Sequence, residues 1–245
     1  MDDHQLAAWL AERAGALLAP LRQGPLERAA LGFVGDQAAN AFLVSSLKML
    51  RPQDQILSEE SPDVEARLDA RRVWIIDPLD GTREYSEGRG DWAVHVALAV
   101  DGNPAAGAVA QPDLGRTLAT GSVGPAPRPA RRPIMLVSRT RPPAGAEELA
   151  AALGAEIRPM GSAGAKAAAV IMGEADVYFH AGGQHEWDNC APVAVALAAG
   201  LMACRIDGSP IRYNRRDPKV PDLLIAEPGL GEAAIGFLSR RGMPV

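Results

Sequence analysis

The sequence predicts a fold in two parts, an α+β part followed by an α/β part. Over residues 1–120, two helical patterns precede strand patterns that follow one another closely, whereas beyond residue 133 strand and helix patterns alternate. Between them, the segment GSVGPAPRPARRP is rich in Gly and Pro and lacks an apolar period. We therefore expect an N-terminal lobe over 1–120, a linker over about 121–132 and a C-terminal lobe over 133–245.

The N-terminal part is predicted to contain two helices and four strands. Apolar residues recur at helical spacing over 4–21, and Asp36 is a plausible N-cap for a second helix over 36–50. The run over 92–100 is apolar on both faces, which is typical of a central strand. The four strands are predicted over 55–58, 73–76, 92–100 and 106–111.

The C-terminal part shows no internal repeat and alternates short apolar runs with helical patterns. Five strands are predicted over 134–138, 157–160, 177–180, 201–206 and 223–226. Four helices are predicted over 144–153, 163–172, 188–199 and 231–240.

Composition excludes several classes of protein. With 47% hydrophobic residues and no apolar run long enough to span a bilayer, no membrane partner is expected. A net charge of -5 disfavours a nucleic-acid polymer as partner. The two cysteines, Cys190 and Cys204, lack metal-binding spacing, and the opening MDDHQ lacks the pattern of a secretory signal. These features indicate a protein of the reducing cytoplasm.

The stretch VWIIDPLDGTREY, residues 73–85, is the most informative part of the sequence. Asp77 and Asp80 follow a buried-strand pattern three positions apart, and Gly81-Thr82 comes next, where a helix is expected to begin. Carboxylates bind hard divalent cations, and the N-terminus of a helix favours an anion. A strand end that offers both is suited to holding a phosphate through metal ions.

Two further acidic residues also stand at the ends of predicted elements. Glu59 follows a short strand, and Asp188 in HEWDNCAP opens an apolar helix. If these segments converge, four carboxylates and the Leu79 carbonyl could hold two or more Mg²⁺ ions. Such a site can activate water and stabilise the leaving oxygen, while Thr82 and the amides of Gly81 and Thr82 contact phosphate oxygens.

Each acidic residue taken alone has a simpler interpretation. Asp188 could be a helix N-cap, Asp77 could belong to a turn with Pro78, and Glu59 could lie in a solvated loop. Their joint occurrence, in an ordered sequence of elements, favours the metal site.

Four motifs resemble those of the inositol monophosphatase superfamily of lithium-sensitive, magnesium-dependent phosphatases. They are SEE (58–60), WIIDPLDGT (74–82), GSAGAK (161–166) and EWDNCAP (186–192), and the match covers essentially the whole chain. The continuation DPLDGTREY, the spacing within GSAGAK and the segment DGSPIRY (207–213) resemble the CysQ branch of 3′(2′),5′-bisphosphate nucleotidases.

The resemblance implies a five-layered αβαβα sandwich in two lobes. It implies hydrolysis of the 3′-phosphate of 3′-phosphoadenosine 5′-phosphate to AMP and phosphate by water activated at two or three Mg²⁺ ions. Catalytic roles fall to Asp36, Glu59 and Thr82, with Thr82 orienting the attacking water and Asp36 bonded to Thr82. The implied metal ligands are Glu59, Asp77, the Leu79 carbonyl, Asp80 and Asp188.

The substrate pocket is predicted from the same motifs. Lys166, one of three lysines, is a candidate cation for the second phosphate or the ribose, with a solvated helix residue as the alternative. Tyr85 and Tyr213 are expected at the pocket wall, and His95 is interpreted as a core histidine. The predicted substrate-binding residues are Leu79, Asp80, Gly81, Thr82, Arg83, Gly161, Ser162, Lys166 and Asp188.

The expected partner is a small phosphate ester, and the chain is expected to form a homodimer. The same metal site could serve an inositol monophosphatase or a fructose-1,6-bisphosphatase, because metal ligands do not distinguish these substrates. A non-catalytic sensor of phosphorylated metabolites is a third alternative, and the complete set of acidic residues argues against it.

Overall fold

The computed structural model describes residues 1–128 and 130–241, which form two five-stranded sheets covered by helices. Pro129 of the predicted linker and residues 242–245 of the predicted C-terminal lobe lie outside the described residues. The predicted linker runs between the last strand of the first sheet and the first strand of the second. Its role as a lobe boundary remains a prediction.

The first sheet is built from residues before the predicted linker. Its strand order is β1-β2-β3-β4-β5, with β1 parallel to β2 and the remaining pairs antiparallel. The helices are α1 (Asp3–Leu21), α2 (Arg28–Leu50) and the short α3 (Thr82–Ser86). The strands are β1 (Gln55–Ser58), β2 (Arg72–Asp80), β3 (Ala93–Val100), β4 (Asn103–Gln111) and β5 (Arg116–Ala119).

The second sheet is built from residues after the predicted linker. Its order is β7-β6-β8-β10-β9, with β6 parallel to both neighbours and β10 antiparallel to both of its own. The strands are β6 (Ile134–Ser138), β7 (Glu156–Met160), β8 (Val177–His185), β9 (Met202–Cys204) and β10 (Lys219–Ala226). The helices are α4 (Ala146–Leu153), α5 (Ala163–Ile171), α6 (Glu186–Ala198) and α7 (Pro228–Arg241).

Helices and sheets alternate in five layers. Helices α1 and α2 pack on the first sheet, α5 and α6 lie between the two sheets, and α4 and α7 pack on the outer side of the second. Every residue of α5 is buried, and all of them except Lys166 are small or apolar. The predicted αβαβα arrangement is therefore present. Within the described residues, no helix combines the length and apolar character needed to cross a bilayer.

Strands β1 and β6 have the predicted bounds, but the predicted start of α2 is wrong. The helix begins at Arg28 rather than at residue 36, so Asp36 lies inside it and is not its N-cap. Gly32 and Gly35 serve close packing within this helix. A Cβ on Gly32 would lie 2.7 Å from Cγ2 of Thr82. The glycines thus bring α2 against the neighbouring chain, an effect of tertiary contact that local sequence does not show.

Strand β8 is longer than predicted and ends at His185 rather than at residue 180. Gly182 and Gly183 have φ angles of 132° and 85°, values that side chains other than glycine rarely adopt. Opposite them, the pairing of β8 with β10 slips between Val220 and Asp222. The strand therefore continues through a distortion, which delivers the chain to the start of α6.

Candidate active site

The end of β2, the start of α3 and the corner between β8 and α6 meet at one cavity of about 290 Å³. The predicted ligands and substrate contacts all line it, whereas Asp36 lies behind it against Thr82. The lining includes Glu59, Asp77, Leu79, Asp80, Gly81, Thr82, Arg83, Gly161, Ser162, Lys166 and Asp188. The structure thus brings together segments that are far apart in sequence.

Asp77 and Asp80 lie at an irregular stretch of β2. The regular pairing of β2 with β3 is interrupted between these two residues, where Pro78 has no amide to donate to a neighbouring strand. Asp77 Oδ1 accepts a hydrogen bond from Leu79 N at 3.0 Å. Burial, followed by the negative charges of Glu59 and Asp80, raises the pKa of Asp77 well above its usual value.

Asp80 is held differently. Its Oδ1 accepts from Ala163 N at 3.2 Å, and its Oδ2 accepts from Gly164 N at 2.6 Å, both at the start of α5. His95 Nε2 lies 3.2 Å from the same Oδ2. Burial alone would raise the pKa of Asp80, but His95 and the Gly164 amide outweigh it and the pKa is lowered. Asp80 is therefore the buried carboxylate whose ionised form the protein itself stabilises.

Asp188 is the third residue of α6, because the helix begins at Glu186 and His185 is its N-cap. The predicted helix start at residue 188 is therefore wrong by two residues. Asp188 Oδ2 accepts a hydrogen bond from His185 N at 2.5 Å, which fixes the carboxylate near the corner. Burial raises the pKa of Asp188, and this hydrogen bond opposes the shift.

Oxygen atoms of Asp77, Asp80 and Asp188 lie within 4.8 Å of one another. Glu59 lines the same cavity but is outside this cluster, and much of its surface is exposed. Burial of its carboxyl and the negative charge of Asp188 raise the pKa of Glu59 to about 7. Its role as a metal ligand remains a prediction.

This arrangement of oxygens fits a hard divalent cation. The predicted ligands offer only carboxylate and carbonyl oxygens, the donors that Mg²⁺ prefers. Burial raises the pKa values of Asp77 and Asp188, and the negative charges of neighbouring carboxylates raise them further. A bound cation would relieve that repulsion.

Thr82 and Asp36 form a pair next to the cluster. Thr82 Oγ1 lies 3.2 Å from Asp36 Oδ2 and 3.1 Å from Leu79 O, and both of these oxygens accept hydrogen bonds. When the single hydroxyl proton is donated to Asp36, which lies behind the cavity, an oxygen lone pair is left able to accept from a water. Burial, together with the charge of Glu60, raises the pKa of Asp36 to about 7.

The cavity lining also carries positive charge that the sequence analysis did not identify. Arg139 and Arg141 follow β6 and line the cavity. Arg139 is paired with Glu84 at 2.7 Å and with Glu87 at 3.0 Å, whereas within the described part of the chain no partner is found for the guanidinium of Arg141. The available signal was their place at the carboxyl end of a predicted strand, where α/β sheets bind ligands.

His180, on β8, is a third residue that sequence reasoning missed. It is 7% exposed and lines the cavity, and neither ring nitrogen has a well-aligned hydrogen-bond partner in the described structure, although the Gly183 backbone approaches. Burial, reinforced by the positive charges of Lys166 and Arg141, lowers the pKa of His180 to about 4. At neutral pH the ring is uncharged, so it offers one donor and one acceptor.

Lys166 lies deeper than a solvated helix residue would. Its Nζ donates to the carbonyls of Gly161 and Ser162 and lies 5.1 Å from the centre of the Tyr178 ring. Burial lowers the pKa of Lys166 to about 8. The ammonium group thus secures the turn that enters α5, and its contact with a second phosphate remains a prediction.

Two tyrosines predicted at the pocket wall lie elsewhere. Tyr85 is fully buried and donates to Leu18 O at 2.7 Å. Tyr213 is buried and donates to Asn189 Oδ1 at 3.0 Å. Neither lines the cavity, because aromatic rings at these positions fill the packing between helices and sheets.

Comparison with known protein families identifies most of the chain. The model of the inositol monophosphatase family matches residues 29–126 and 134–238, which include every acidic residue of the cavity. The chain belongs to the inositol monophosphatase family. The resemblance inferred from the four motifs is confirmed.

Curated relatives within this family are close in sequence. The 3′-phosphoadenosine 5′-phosphate phosphatase of Mycobacterium leprae is 46% identical, over 97% of this chain and 94% of that protein. The phosphatase of the same name from Mycobacterium bovis is 49% identical, over 85% of this chain and 82% of that protein. The 3′(2′),5′-bisphosphate nucleotidase CysQ of Escherichia coli is 32% identical, over 74% of this chain and 79% of that protein.

Solved structures confirm the predicted fold. Inositol monophosphatase II from Staphylococcus aureus superimposes with a TM-score of 0.84 at 21% identity, covering 98% of this chain and 96% of that one. CysQ from Bacteroides thetaiotaomicron superimposes with a TM-score of 0.76 at 24% identity, covering 91% of this chain and 96% of that one. At these identities the likeness establishes the fold alone.

Proposed function

We propose that this protein is a Mg²⁺-dependent phosphatase that removes the 3′-phosphate of 3′-phosphoadenosine 5′-phosphate, giving AMP and phosphate. One observation carries the proposal. A single cavity is lined both by the carboxylate cluster, here called the acidic wall, and by the arginines Arg139 and Arg141, here called the basic wall. That arrangement suits an ester with a metal-held phosphate at one end and a second anionic group at the other. Relatives at 46% and 49% identity that bear the name of this activity support the same substrate.

The acidic wall would hold two or three Mg²⁺ ions. The proposed ligands are Glu59, Asp77, the Leu79 carbonyl, Asp80 and Asp188. Bound Mg²⁺ supplies charge neutralisation of the phosphate and lowers the pKa of a bound water. The same ions would explain why the fold accepts so many buried acids in one place, since without cations each ionised carboxylate raises the pKa of its neighbours.

Residues of the chain would then direct the water and the ester. The Thr82 hydroxyl, with its proton shared between Asp36 and Leu79 O, accepts a hydrogen bond from the attacking water and aims its oxygen at phosphorus. The amides of Gly81 and Thr82 face the phosphate oxygens as negative charge develops. These groups contact only the attacking water and the phosphate oxygens, so they would act in the same way on any phosphate monoester.

Selection of the nucleotide would fall to the basic wall. Arg141, with an unpaired guanidinium in the described structure, would bind the 5′-phosphate, which the reaction does not alter. The uncharged His180 ring would bind a neutral part of the substrate, because it can donate one hydrogen bond and accept another. Ribose hydroxyls and the adenine edge have that character, whereas phosphate offers only acceptors at neutral pH.

The test is phosphate release from a panel of esters. The purified protein is assayed with 3′-phosphoadenosine 5′-phosphate, inositol 1-phosphate and fructose 1,6-bisphosphate, each with Mg²⁺ or with excess EDTA. We expect the adenosine bisphosphate to have the highest kcat/KM. A preference for either of the other two esters would overturn the nucleotidase proposal and leave the family assignment in place.

A homodimer and a cytoplasmic location also remain proposals. Light scattering coupled to size-exclusion chromatography tests the first, and fractionation of cells that express the protein tests the second. A mass equal to one chain would contradict the dimer.

A further inference from the structure

His95 occupies an unusual position for a core histidine. It is fully buried on β3, as its apolar neighbours predict, yet both ring nitrogens face polar atoms rather than the core. Nδ1 lies 3.1 Å from the carbonyl oxygen of Trp187, and Nε2 lies 3.2 Å from Asp80 Oδ2. The second contact has the distance of an ion pair without the alignment of a full hydrogen bond. One ring therefore touches both β2 and α6.

The two groups that His95 touches belong to the proposed metal site. Asp80 is one of the clustered carboxylates, and Trp187 immediately precedes another, Asp188. Because a carbonyl oxygen only accepts, Nδ1 must donate to Trp187 O. In the sheet, His95 lies directly opposite Asp77 in the pairing of β3 with β2. The ring thus contacts one clustered carboxylate, that of Asp80, and the backbone next to another, that of Asp188.

Close packing fixes the ring from a third side. Gly164 N donates to Asp80 Oδ2 at 2.6 Å, so α5 approaches the same carboxylate. A Cβ on Gly164 would overlap Nε2 of His95 and would lie 3.1 Å from Asp80 Oδ2. Glycine at this position therefore allows the helix, the ring and the carboxylate to meet.

We propose that His95 is a positioning residue for the metal site. It holds Asp80 and the first turn of α6 at a fixed separation, and so sets the distance between the carboxylates of Asp80 and Asp188. It does not reach the substrate and acts only through these ligands. The proposal rests on the metal site of the proposed function. Contacts of this kind behind a metal ligand typically change metal affinity or activity by about 10- to 100-fold.

The test measures metal binding without turnover. Mg²⁺ is titrated calorimetrically into the metal-free forms of the wild type, His95→Leu and His95→Gln. We expect His95→Leu to bind Mg²⁺ about 10- to 100-fold more weakly. His95→Gln should recover much of the affinity, because its amide can extend toward Asp80 and donate. The matched control is His4→Gln, since His4 contacts Thr120 Oγ1 on the far side of the first sheet.

A second variant covers the case in which His95→Leu does not fold. Gly164→Ala keeps the His95 side chain but inserts a methyl group that must displace its ring, and it should also weaken Mg²⁺ binding. Steady-state kinetics add an independent readout. At saturating Mg²⁺, kcat should fall while KM for the adenosine bisphosphate changes by less than about threefold, because His95 does not contact substrate.

The outcomes separate the two proposals. If the wild type binds no divalent cation, the metal site and the positioning role both fail. If the wild type binds Mg²⁺ and a folded His95→Leu binds it equally well or more tightly, the positioning role alone is overturned. A rise in KM with unchanged kcat would also overturn it, since His95 would then be a substrate contact.

Discussion

The two walls of the cavity are built in different ways. Apart from Glu59, the acidic wall consists of short aspartate side chains whose oxygens accept hydrogen bonds from backbone amides, as Asp80 does from Ala163 and Gly164. The basic wall consists of longer side chains at a strand end, and Arg141 is exposed. A change on the first wall should therefore reduce the rate for every substrate. A change on the second should alter KM for particular substrates.

The largest expected effect is the loss of the acidic wall's cations. Since several carboxylates lie within a few ångströms, the site needs divalent metal to bind an anionic ester. We expect activity to fall to background in excess EDTA and to return with Mg²⁺. Membership of the family also leads us to expect inhibition by Li⁺. Full turnover in EDTA, with the metal content verified by mass spectrometry, would contradict a metal-dependent mechanism.

Single substitutions on the acidic wall come next. Asp80→Asn and Asp188→Asn each remove the negative charge of one proposed ligand, and we expect kcat to fall at least ~100-fold on all active esters. Asp101→Asn is the matched control, because Asp101 is exposed and, in the described structure, is paired with Arg71 outside the cavity. Melting temperatures establish that each variant folds. Turnover near that of the wild type would mean that the substituted residue is a cap or turn residue rather than a ligand.

The difference between the walls also explains which residues the sequence could identify. Asp77, Asp80 and Asp188 each stand where a strand or helix changes, next to a recognisable local pattern, and their convergence follows from that order. Arg139 and Arg141 stand in a loop with no distinctive spacing. They face the cavity because β6 lies between β7 and β8, a feature of sheet order that local sequence does not contain.

Helix α2 shows the same limit. The predicted contact between Asp36 and Thr82 is present. The predicted helix start at residue 36 is too late, because the helix begins at Arg28. The predicted start rests on Asp36 as an N-cap residue, whereas the helix runs on both sides of Asp36 and contains Gly32 and Gly35. Their actual function is close approach to Thr82 and Leu18, and such contacts appear only when the elements are assembled.

A substitution on the basic wall is expected to have an intermediate effect, and that effect should be on KM. Arg141→Ala should raise KM for 3′-phosphoadenosine 5′-phosphate by about 10- to 100-fold, the value of one charge-assisted hydrogen bond. Inositol 1-phosphate, which has no second phosphate, should be hardly affected. Arg71→Ala, at an exposed ion pair outside the cavity, is the control. Equal losses on both esters would contradict a selective role for Arg141.

Lys166→Ala tests whether Lys166 supports the site or selects the substrate. Since Nζ holds the carbonyls of Gly161 and Ser162, its removal is expected to loosen the turn beside Asp80. Both esters should then lose kcat/KM, by similar factors. If only the adenosine bisphosphate is affected, Lys166 contacts the second phosphate, as the sequence predicts. Kinetics of the variant on both esters distinguish these results.

The smallest expected effect is on how the free energy of unfolding depends on pH. The carboxyls of Asp36 and Glu59 shift it in one direction, and the His180 ring shifts it in the other. The pKa values of Asp36 and Glu59 are raised to about 7, so between pH ~4 and ~7 the folded protein binds more protons than the unfolded chain. These two carboxyls therefore make the metal-free protein less stable as pH rises through that window. The pKa of His180 is lowered to about 4, and this single ring has the opposite effect up to about pH 6.5.

Thermal melts of the metal-free protein at pH 5, 6, 7 and 8 measure the balance. Two carboxyls outweigh one imidazole, so we expect the melting temperature to fall between pH 5 and pH 7. The increase in melting temperature on adding Mg²⁺ should grow over the same range, because the cation competes with the bound protons. Asp36→Asn combined with Glu59→Gln should flatten the pH dependence, and His180→Phe should steepen it. A melting temperature that rises with pH in the absence of metal would mean that the acidic wall is ionised without its cations.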